Sequence, residues 1–345
     1  MRELSNAKGR LMASVSWTSL RSMVLGQVIS VLITGTGVFS SLLAAEGINM
    51  PVTQSSLNYV LLCGLFLSVL PKLLREGLSG PIWIYVLWAV CDVEANFIVV
   101  EAYQYTSIAS VMLLDCFAIP CSMVLSYILL KGRYTLVHIG ACCICFLGIS
   151  LTVWSDVISR TNKSSSHGPS WVGDVMVLCG AGMYGLSNVL QEMLLKRGCT
   201  VREALGVLGV LGTVLSTVQA LSTERLRLEE VTWNASKVVH MLGFQLCLFG
   251  MYLLTSLFLS VADAALFNLS LLTSDIYSVA WAWAVMHHRP TWLYGAAFAT
   301  TVSGLIVYHT QPSPVLADNL RIVGGSSHPS SPLLENGPEK PSDSI

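Results

Sequence analysis

Ten stretches of roughly 20 apolar residues recur along the chain, separated by short clusters of polar and charged positions. At a rise of 1.5 Å per residue, each is long enough to cross the ~30 Å hydrocarbon core of a bilayer as one helix. The pattern predicts spans over residues 20–43, 55–74, 82–102, 108–130, 135–154, 172–194, 203–222, 238–260, 264–286 and 291–310. A short basic segment with Arg2, Lys8 and Arg10 precedes the first run, and no small-residue cleavage site follows that run, so it does not read as a removed signal. After Pro312 the chain is rich in Pro, Ser and Gly, a composition that cannot build a core and predicts disorder.

Composition sharpens this into a class. Of 345 residues, 53% are hydrophobic and 11% charged, against about 25% charged in an ordinary soluble domain. The mean hydropathy is +0.65. So few charges cannot clothe a soluble protein of this length, and the fold class expected is an all-α polytopic membrane protein with ten transmembrane helices. A net charge of −1 leaves no basic face for nucleic acid. Nine of the ten cysteines lie in apolar runs, where they act as small hydrophobes; only Cys199 sits in a polar loop.

With the N-terminus in the cytosol, thirteen of the 19 Lys and Arg fall in inner segments and six in outer ones, which predicts cytosolic N- and C-termini. The sequons at Asn162 and Asn234 then lie in the two longest outer loops as candidate glycosylation sites. A third, at Asn268, is inside a span.

The two halves carry traces of a repeat. A shift of 156 residues places Ala109 on Ala265, Arg133 on Arg289 and Gly148 on Gly304, and a shift of 147 places Gly26, Val28 and Ser40 on Gly173, Val175 and Ser187. Five spans per half is an odd number, so the second copy must lie inverted. That construction recurs in secondary transporters, whose substrate sites sit at the repeat interface near the midplane. The expected division is a tail over 1–18, a first repeat over 19–155, an outer linker over 156–171, a second repeat over 172–310 and a tail over 311–345.

Candidate chemistry lies in intramembrane polar groups. The stretch Val90–Pro120 holds Asp92, Glu94, Glu101 and Asp115 and no Lys or Arg. An ionised side chain at the bilayer centre costs about 2.5–3.5 kcal/mol on insertion scales, so such groups tend to line substrate or proton paths. Packing by hydrogen bonds to neighbouring helices is the competing reading. Asp92 and Glu94 are about 200° apart on a helix and cannot share a face, whereas Asn96 lies one turn beyond Asp92 and Glu101 shares the face of Glu94. Glu94 and Asp115 stand first as substrate or proton ligands. Pro120 removes the helix hydrogen bond to the Cys116 carbonyl and is expected to leave it free beside Asp115. In the second half the most polar part of a span is Asn268–Tyr277, with Asp275 within it. Asn188 and Gln191 add amides to the sixth span, and Glu192 is spaced to pair with Lys196. The glycine series Gly35/Gly37, Gly180/Gly182/Gly185 and Gly206/Gly209/Gly212 reads as close helix packing. His287-His288 and Cys142-Cys143-Ile144-Cys145 find no second ligands at metal-site spacing. No phosphate loop, Gly-x-Ser-x-Gly elbow or His-Glu-x-x-His is present, so neither an enzyme nor a cofactor is expected.

The segments Asp92-Val-Glu-Ala-Asn-Phe97, Ala102-Tyr-Gln-Tyr-Thr106 and Ser110–Cys116 closely resemble subfamily F of solute carrier family 35, in the drug/metabolite transporter superfamily, and Asn268–Tyr277 is similar to its second-half motif. The resemblance covers roughly residues 20–310. It implies two inverted five-helix repeats, a cavity built from spans one to four and six to nine, spans five and ten at the periphery, and alternating access for a small organic solute, nucleobase-like or nucleotide-derived. It implies Asp92, Glu94, Asn96, Tyr103, Gln104, Tyr105, Asp115, Asn268, Asp275 and Tyr277 as motif positions. The partners implied are the solute, the lipid bilayer, a coupling proton and a second copy of the chain in a homodimer. The membrane expected is the plasma membrane or a Golgi or other endomembrane. Trp281–Pro290 departs from the Phe/Leu-rich run usual there, and Met112 stands where Gln is common. A membrane scaffold or receptor-like protein without transport is the alternative.

Overall fold

The computed structural model describes residues 2–48, 50–102, 105, 111, 114–159, 170–225, 231–286 and 292–311. Among these the chain is helical and without strands. Its helices are α1 (Arg2–Ala45), α2 (Pro51–Glu76), α3 (Ile82–Ala102), α4 (Ala118–Leu130), α5 (Leu136–Ser159), α6 (Ser170–Lys196), α7 (Val201–Thr223), α8 (Ala235–Val261), α9 (Ala264–Met286) and α10 (Trp292–His309). Six carry stretches long and apolar enough to cross a membrane: Leu20–Ser40, Val52–Glu76, Ile82–Ala102, Trp171–Lys196, Val201–Thr223 and Ala235–Val261. Their outward faces are apolar: Leu67, Leu74, Val218 and Leu246 are all more than 60% exposed. A surface of that kind suits lipid rather than water. The chain is an integral, multi-pass membrane protein.

α1 is 44 residues long, about 66 Å at helical rise. The basic segment preceding the first apolar run is thus a continuation of the same helix. No proline interrupts residues 2–45, so nothing in the sequence stops the helix earlier.

Helix ends are the costly places in an apolar medium, because the first N–H groups have no intrahelical acceptor. Here acids supply the acceptors. Glu224, just past α7, accepts from the backbone N–H of Val52 (3.0 Å) and Thr53 (2.8 Å) at the start of α2, and from the Thr53 hydroxyl (2.6 Å). Asp263 accepts from Leu266 N–H (2.9 Å) at the start of α9, and Glu192 of α6 accepts from Ala264 N–H (2.8 Å). The same Glu192 pairs with Lys196 at 2.6 Å, as the i, i+4 spacing suggests. Thr200 caps α7, accepting from Glu203 N–H. The Glu203 carboxylate is thereby left to receive Ser79 N–H (2.7 Å), the Tyr85 hydroxyl (3.0 Å) and Lys72 (3.1 Å).

The most extensive packing joins α2 to α7, then α5 to α10, α3 to α6 and α1 to α8, followed by α1 with α9 and α4 with α6. Glycines set the closest approaches. A Cβ on Gly206 would meet the backbone of Phe66 at 2.8 Å, one on Gly209 would meet the Leu62 carbonyl carbon at 2.5 Å, and one on Gly212 would meet the Tyr59 ring at 2.6 Å. The α2–α7 seam is therefore an every-third-residue glycine contact in which Gly206 and Gly209 lie on backbone and Gly212 on the Tyr59 ring. In α5–α10, a Cβ on Gly148 would strike the Thr301 side chain, and one on Gly304 would strike Cys145 Sγ at 2.5 Å.

Near Pro120 the outcome differs from the expectation. The Cys116 carbonyl is not left free: it accepts from Ile119 N–H at 3.0 Å, while Phe117 N–H reaches Leu114. A tight turn over Cys116–Phe117 ends the preceding helical residues and starts α4 anew. The backbone group that the proline releases is thus satisfied one residue earlier, by i+3 bonding.

Because the α2–α7 seam leaves no room for a side chain, Gly209→Val is expected to lower unfolding stability in detergent by about 1–3 kcal/mol. Gly182→Ala, where nothing lies within 4 Å of the new carbon, is expected to be neutral or slightly stabilising. Thermal denaturation of the two variants beside wild type checks both.

Candidate functional site

A central cavity of about 410 Å³ lies between α1, α3, the turn leading into α4, α6, α8 and α9. Each helix offers it one stripe. α3 presents Asp92, Asn96 and Val99, and α6 presents Tyr184, Asn188 and Gln191, both at i, i+4, i+7 spacing. α8 adds Tyr252 and Thr255, α9 adds Asn268 and Ser274, and the turn into α4 adds Asp115. The lining is amide, hydroxyl and carboxylate on an apolar frame. No Lys, Arg or His is among the described lining residues.

Asp92 is the best-anchored of these groups. Its Oδ2 accepts hydroxyls from Tyr59 of α2 and Tyr252 of α8, each at 2.7 Å, and Oδ1 accepts the Ser187 hydroxyl of α6 at 3.2 Å. The two phenol oxygens are 3.3 Å apart, so they converge on one carboxylate oxygen. A hydrogen bond of this kind is worth about 0.5–1.5 kcal/mol net, and leaving one of its partners buried and unsatisfied costs about 1–3 kcal/mol. Four helices are tied together at this point. One turn along, Asn96 donates to the Asp92 carbonyl (2.7 Å) and accepts from the Tyr184 hydroxyl (3.0 Å). Across the cavity, Asn188 donates to Asn268 Oδ1 at 3.1 Å, and Gln191 donates to Ser256 at 2.7 Å.

Asp115 is in the opposite condition. Its Oδ1 is buried without a hydrogen-bond partner, and so is the hydroxyl of Thr255 on the α8 side of the same cavity. Two polar atoms among the lining residues therefore have unmet bonding capacity. Unpaired buried polar groups are uncommon and call for a reason.

The other expected residues are distributed as follows. Glu94 lies on the far side of α3 from Asp92, as their separation of two requires, and accepts from Gln219 of α7 at 2.9 Å, outside the cavity. Tyr277 does not line the cavity; its hydroxyl donates to Gln27 of α1 at 2.7 Å. The polar run beginning at Asn268 is divided, with Asn268 and Ser274 on the cavity and Thr273 donating to Ser30 of α1 at 3.0 Å. Tyr103, the Asp275 side chain and Asn162 lie outside the described residues. Asn234 is at the α8 N-cap, exposed, with Oδ1 accepting from Lys237 N–H.

Among the described residues α2 and α7 do not line the cavity, unlike the expectation for spans two and seven; α2 acts on it through the Tyr59 hydroxyl. Sequence reading did not single out Tyr59, Tyr252 or Tyr184, and named Ser187 only as the repeat match of Ser40. The available signal was their placement as hydroxyl-bearing residues inside apolar runs.

A membrane bundle that is helical throughout its described residues, around a solute-sized polar cavity with no base among its described lining, suits a carrier. Comparison with known proteins agrees. The family model SLC35F, solute carrier family 35, matches residues 15–310. Solute carrier family 35 member F2 of Mus musculus is 35% identical over 304 residues, covering 86% of this chain and 80% of that protein. Its counterpart in Xenopus tropicalis is 33% identical over 327 residues, covering 92% and 83%. A solved chain, described as the crystal structure of a protein, shares the fold at a TM-score of 0.63 and 14% identity, covering 89% of this chain and 99% of that one. The chain belongs to solute carrier family 35, subfamily F, and is a transporter rather than an enzyme.

Convergence of Tyr59 and Tyr252 on one oxygen makes their contributions interdependent. Tyr59→Phe and Tyr252→Phe are each expected to destabilise by about 1–3 kcal/mol, and the double variant to depart from the sum by at least about 0.5 kcal/mol. A thermal-denaturation double-mutant cycle reads this directly, and simple additivity would exclude a shared hydrogen-bond centre.

Proposed function

We propose that the protein is a secondary transporter that moves a small organic solute by alternating access, built from two inverted five-helix repeats, α1–α5 and α6–α10 with the residues leading into each, and with both termini in the cytosol. The observation that carries this reading is the central cavity with its carboxylates and, among the described lining residues, no basic one.

The packing supports the repeat. Advancing every helix by five preserves the most extensive contacts: α2–α7, α5–α10 and α4–α9 map onto themselves, α3–α6 maps onto α1–α8, and α1–α9 maps onto α4–α6. In α5–α10 the correspondence reaches single residues. Gly148 packs on Thr301 and Ala297, while Gly304 packs on Cys145 and Ala141, each pair related by the shift of 156. Cys145 Sγ also donates to the Thr301 carbonyl across that shift. Such reciprocity is the mark of an isologous contact. The cavity-lining helices obey the same rule, since α1, α3 and the α4 turn correspond to α6, α8 and α9. Repeats of this kind rock against each other about a midplane site. The excess of Lys and Arg in inner segments supports the orientation, and the plasma membrane or an endomembrane is the compartment proposed.

Asp92 and Asp115 are the groups proposed to act, one as the centre holding the repeats in register and one as a ligand for solute or for a coupling proton. Purified full-length chain in proteoliposomes, loaded with a cell metabolite extract and tested for exchange with and without an imposed pH gradient, is expected to release at least one solute selectively. Asp115→Asn is expected to reduce that rate at least tenfold, and Glu94→Gln to have a much smaller effect. Wild-type rates in Asp115→Asn and Asp92→Asn, with folding intact, would remove the carrier reading and favour a scaffold.

A further inference from the structure

We propose that Asn188, Gln191 and Glu192 of α6 form a latch that holds the inner end of the central cavity shut, and that the outer end has no acid or amide equivalent, so that the unloaded protein rests open to the outside. The proposal rests on the alternating-access reading and names the residues that set its resting side.

Apart from α2–α7 and α5–α10, the most extensive packing is of α6 on α3 and α4 and of α1 on α8 and α9. The cavity lies between these two groups. At its inner end, where Lys196 and Arg197 follow, α6 reaches across from one group to the other three times within a turn and a half. Asn188 donates to Asn268 of α9 (3.1 Å), Gln191 donates to Ser256 of α8 (2.7 Å), and Glu192 accepts from the Ala264 N–H that opens α9 (2.8 Å). Gln191 and Glu192 are buried, and Lys196 holds the second Glu192 oxygen. α9 does not depend on this contact to keep its first turn, because Asp263 accepts from Leu266 N–H and is held in turn by the Tyr308 hydroxyl of α10. Releasing Ala264 to water therefore costs one hydrogen bond rather than a helix end. A contact of that kind can open and re-form.

The outer end is built differently. The shift of 147 places Asn188, Gln191 and Glu192 on Ser41, Ala44 and Ala45 in the last turn of α1, and the shift of 156 places Ala264 and Asn268 on Ile108 and Met112. An outer seam made from these positions has a hydroxyl where the inner one has amides and a carboxylate. The packing follows the same asymmetry. α6 touches α8, whereas the counterpart pair, α1 with α3, makes no comparable contact among the described residues. The cavity separates them instead, with Ile33 and Thr36 on one wall and Val99 on the other. Each buried hydrogen bond across the inner seam thus favours inner closure without an equal contribution outside.

Hydrogen exchange of the full-length chain in lipid nanodiscs, read by mass spectrometry, follows both ends at once. Glu192→Ala is expected to speed exchange over residues 264–268 at least tenfold and, in the same sample, to slow it at least threefold over 41–45 and 97–102, the outer ends of α1 and α3. Glu192→Gln keeps an acceptor for Ala264 but loses the charge opposite Lys196, and is expected to fall between wild type and Glu192→Ala. Faster exchange at α9 with an unchanged outer end would make Glu192 a helix cap and overturn the latch, as would unchanged exchange at both ends. Should Glu192→Ala fail to fold, Asn268→Met, which copies the outer residue into the inner seam, decides by the same reciprocal change. That change without any solute exchange in proteoliposomes would leave the latch standing and defeat the carrier reading; selective solute exchange without the reciprocal change would do the opposite.

Discussion

A carboxylate in the middle of a helical bundle has to be solvated by the protein itself, because the surrounding lipid offers nothing. Asp92 meets this condition through Tyr59, Tyr252 and Ser187, so the carboxyl group can sit where it does only while α2, α8 and α6 stay in register with α3. Shifting any one of these helices by a turn, about 5.4 Å, would withdraw a donor from an oxygen that cannot replace it. The position of the cavity follows from this. Asn96 and the Tyr184 hydroxyl extend the same polar stripe by one turn, and the space between that stripe and α9 is what remains open.

The rest of the acids show the same physics at the ends of the bundle. Glu224 serves the start of α2, and Glu192 and Asp263 serve the start of α9. Helix N-termini carry a partial positive charge, so a carboxylate from a neighbouring helix both satisfies N–H donors and finds favourable electrostatics. Glu203 takes an ammonium, a phenol and a backbone amide instead. Each of these acids has a local structural explanation. Asp115 Oδ1 has no donor in the fold and lies on the cavity, whereas Glu46 Oε2, also buried without a partner, belongs to a carboxylate whose Oε1 accepts from Ser236.

Much of this was legible beforehand, for reasons that are local. Apolar run length marks where the long helices fall, and helical periodicity puts Asp92 and Asn96 on one stripe with Glu94 on another. The glycines at 206, 209 and 212 mark a seam because small residues at that spacing have few other uses in a bundle. What the sequence does not contain is the register between helices. Glu94 and Asp115 are equivalent as isolated acids in apolar runs, yet packing turns Glu94 to Gln219 and Asp115 to the cavity. Tyr59 and Tyr252 are 193 residues apart, and no local pattern pairs them. The Cys116 carbonyl seemed free because a proline removes the i+4 donor, and only the turn geometry reveals that Ile119 supplies an i+3 donor instead.

The proposed repeat is symmetric in backbone and asymmetric in charge. Asp115 stands 156 residues before Leu271, and both line the cavity; the second half thus offers a leucine where the first offers an acid. A carrier that rocks two equivalent halves needs equivalent helices, because the two end states must be close in energy for exchange between them to be frequent. Its solute needs no such equivalence. A second carboxylate at position 271 would add like-charge repulsion and another desolvated anion to the same space, making an unloaded cavity harder to close. One acid engaged by hydroxyls, one with an unpartnered oxygen and a facing wall of amides and hydroxyls leave the cavity with hydrogen-bonding capacity that the fold itself does not use. In the proposed carrier, closure around a solute that meets this capacity is favoured over closure without one, and that difference would couple binding to a change of side.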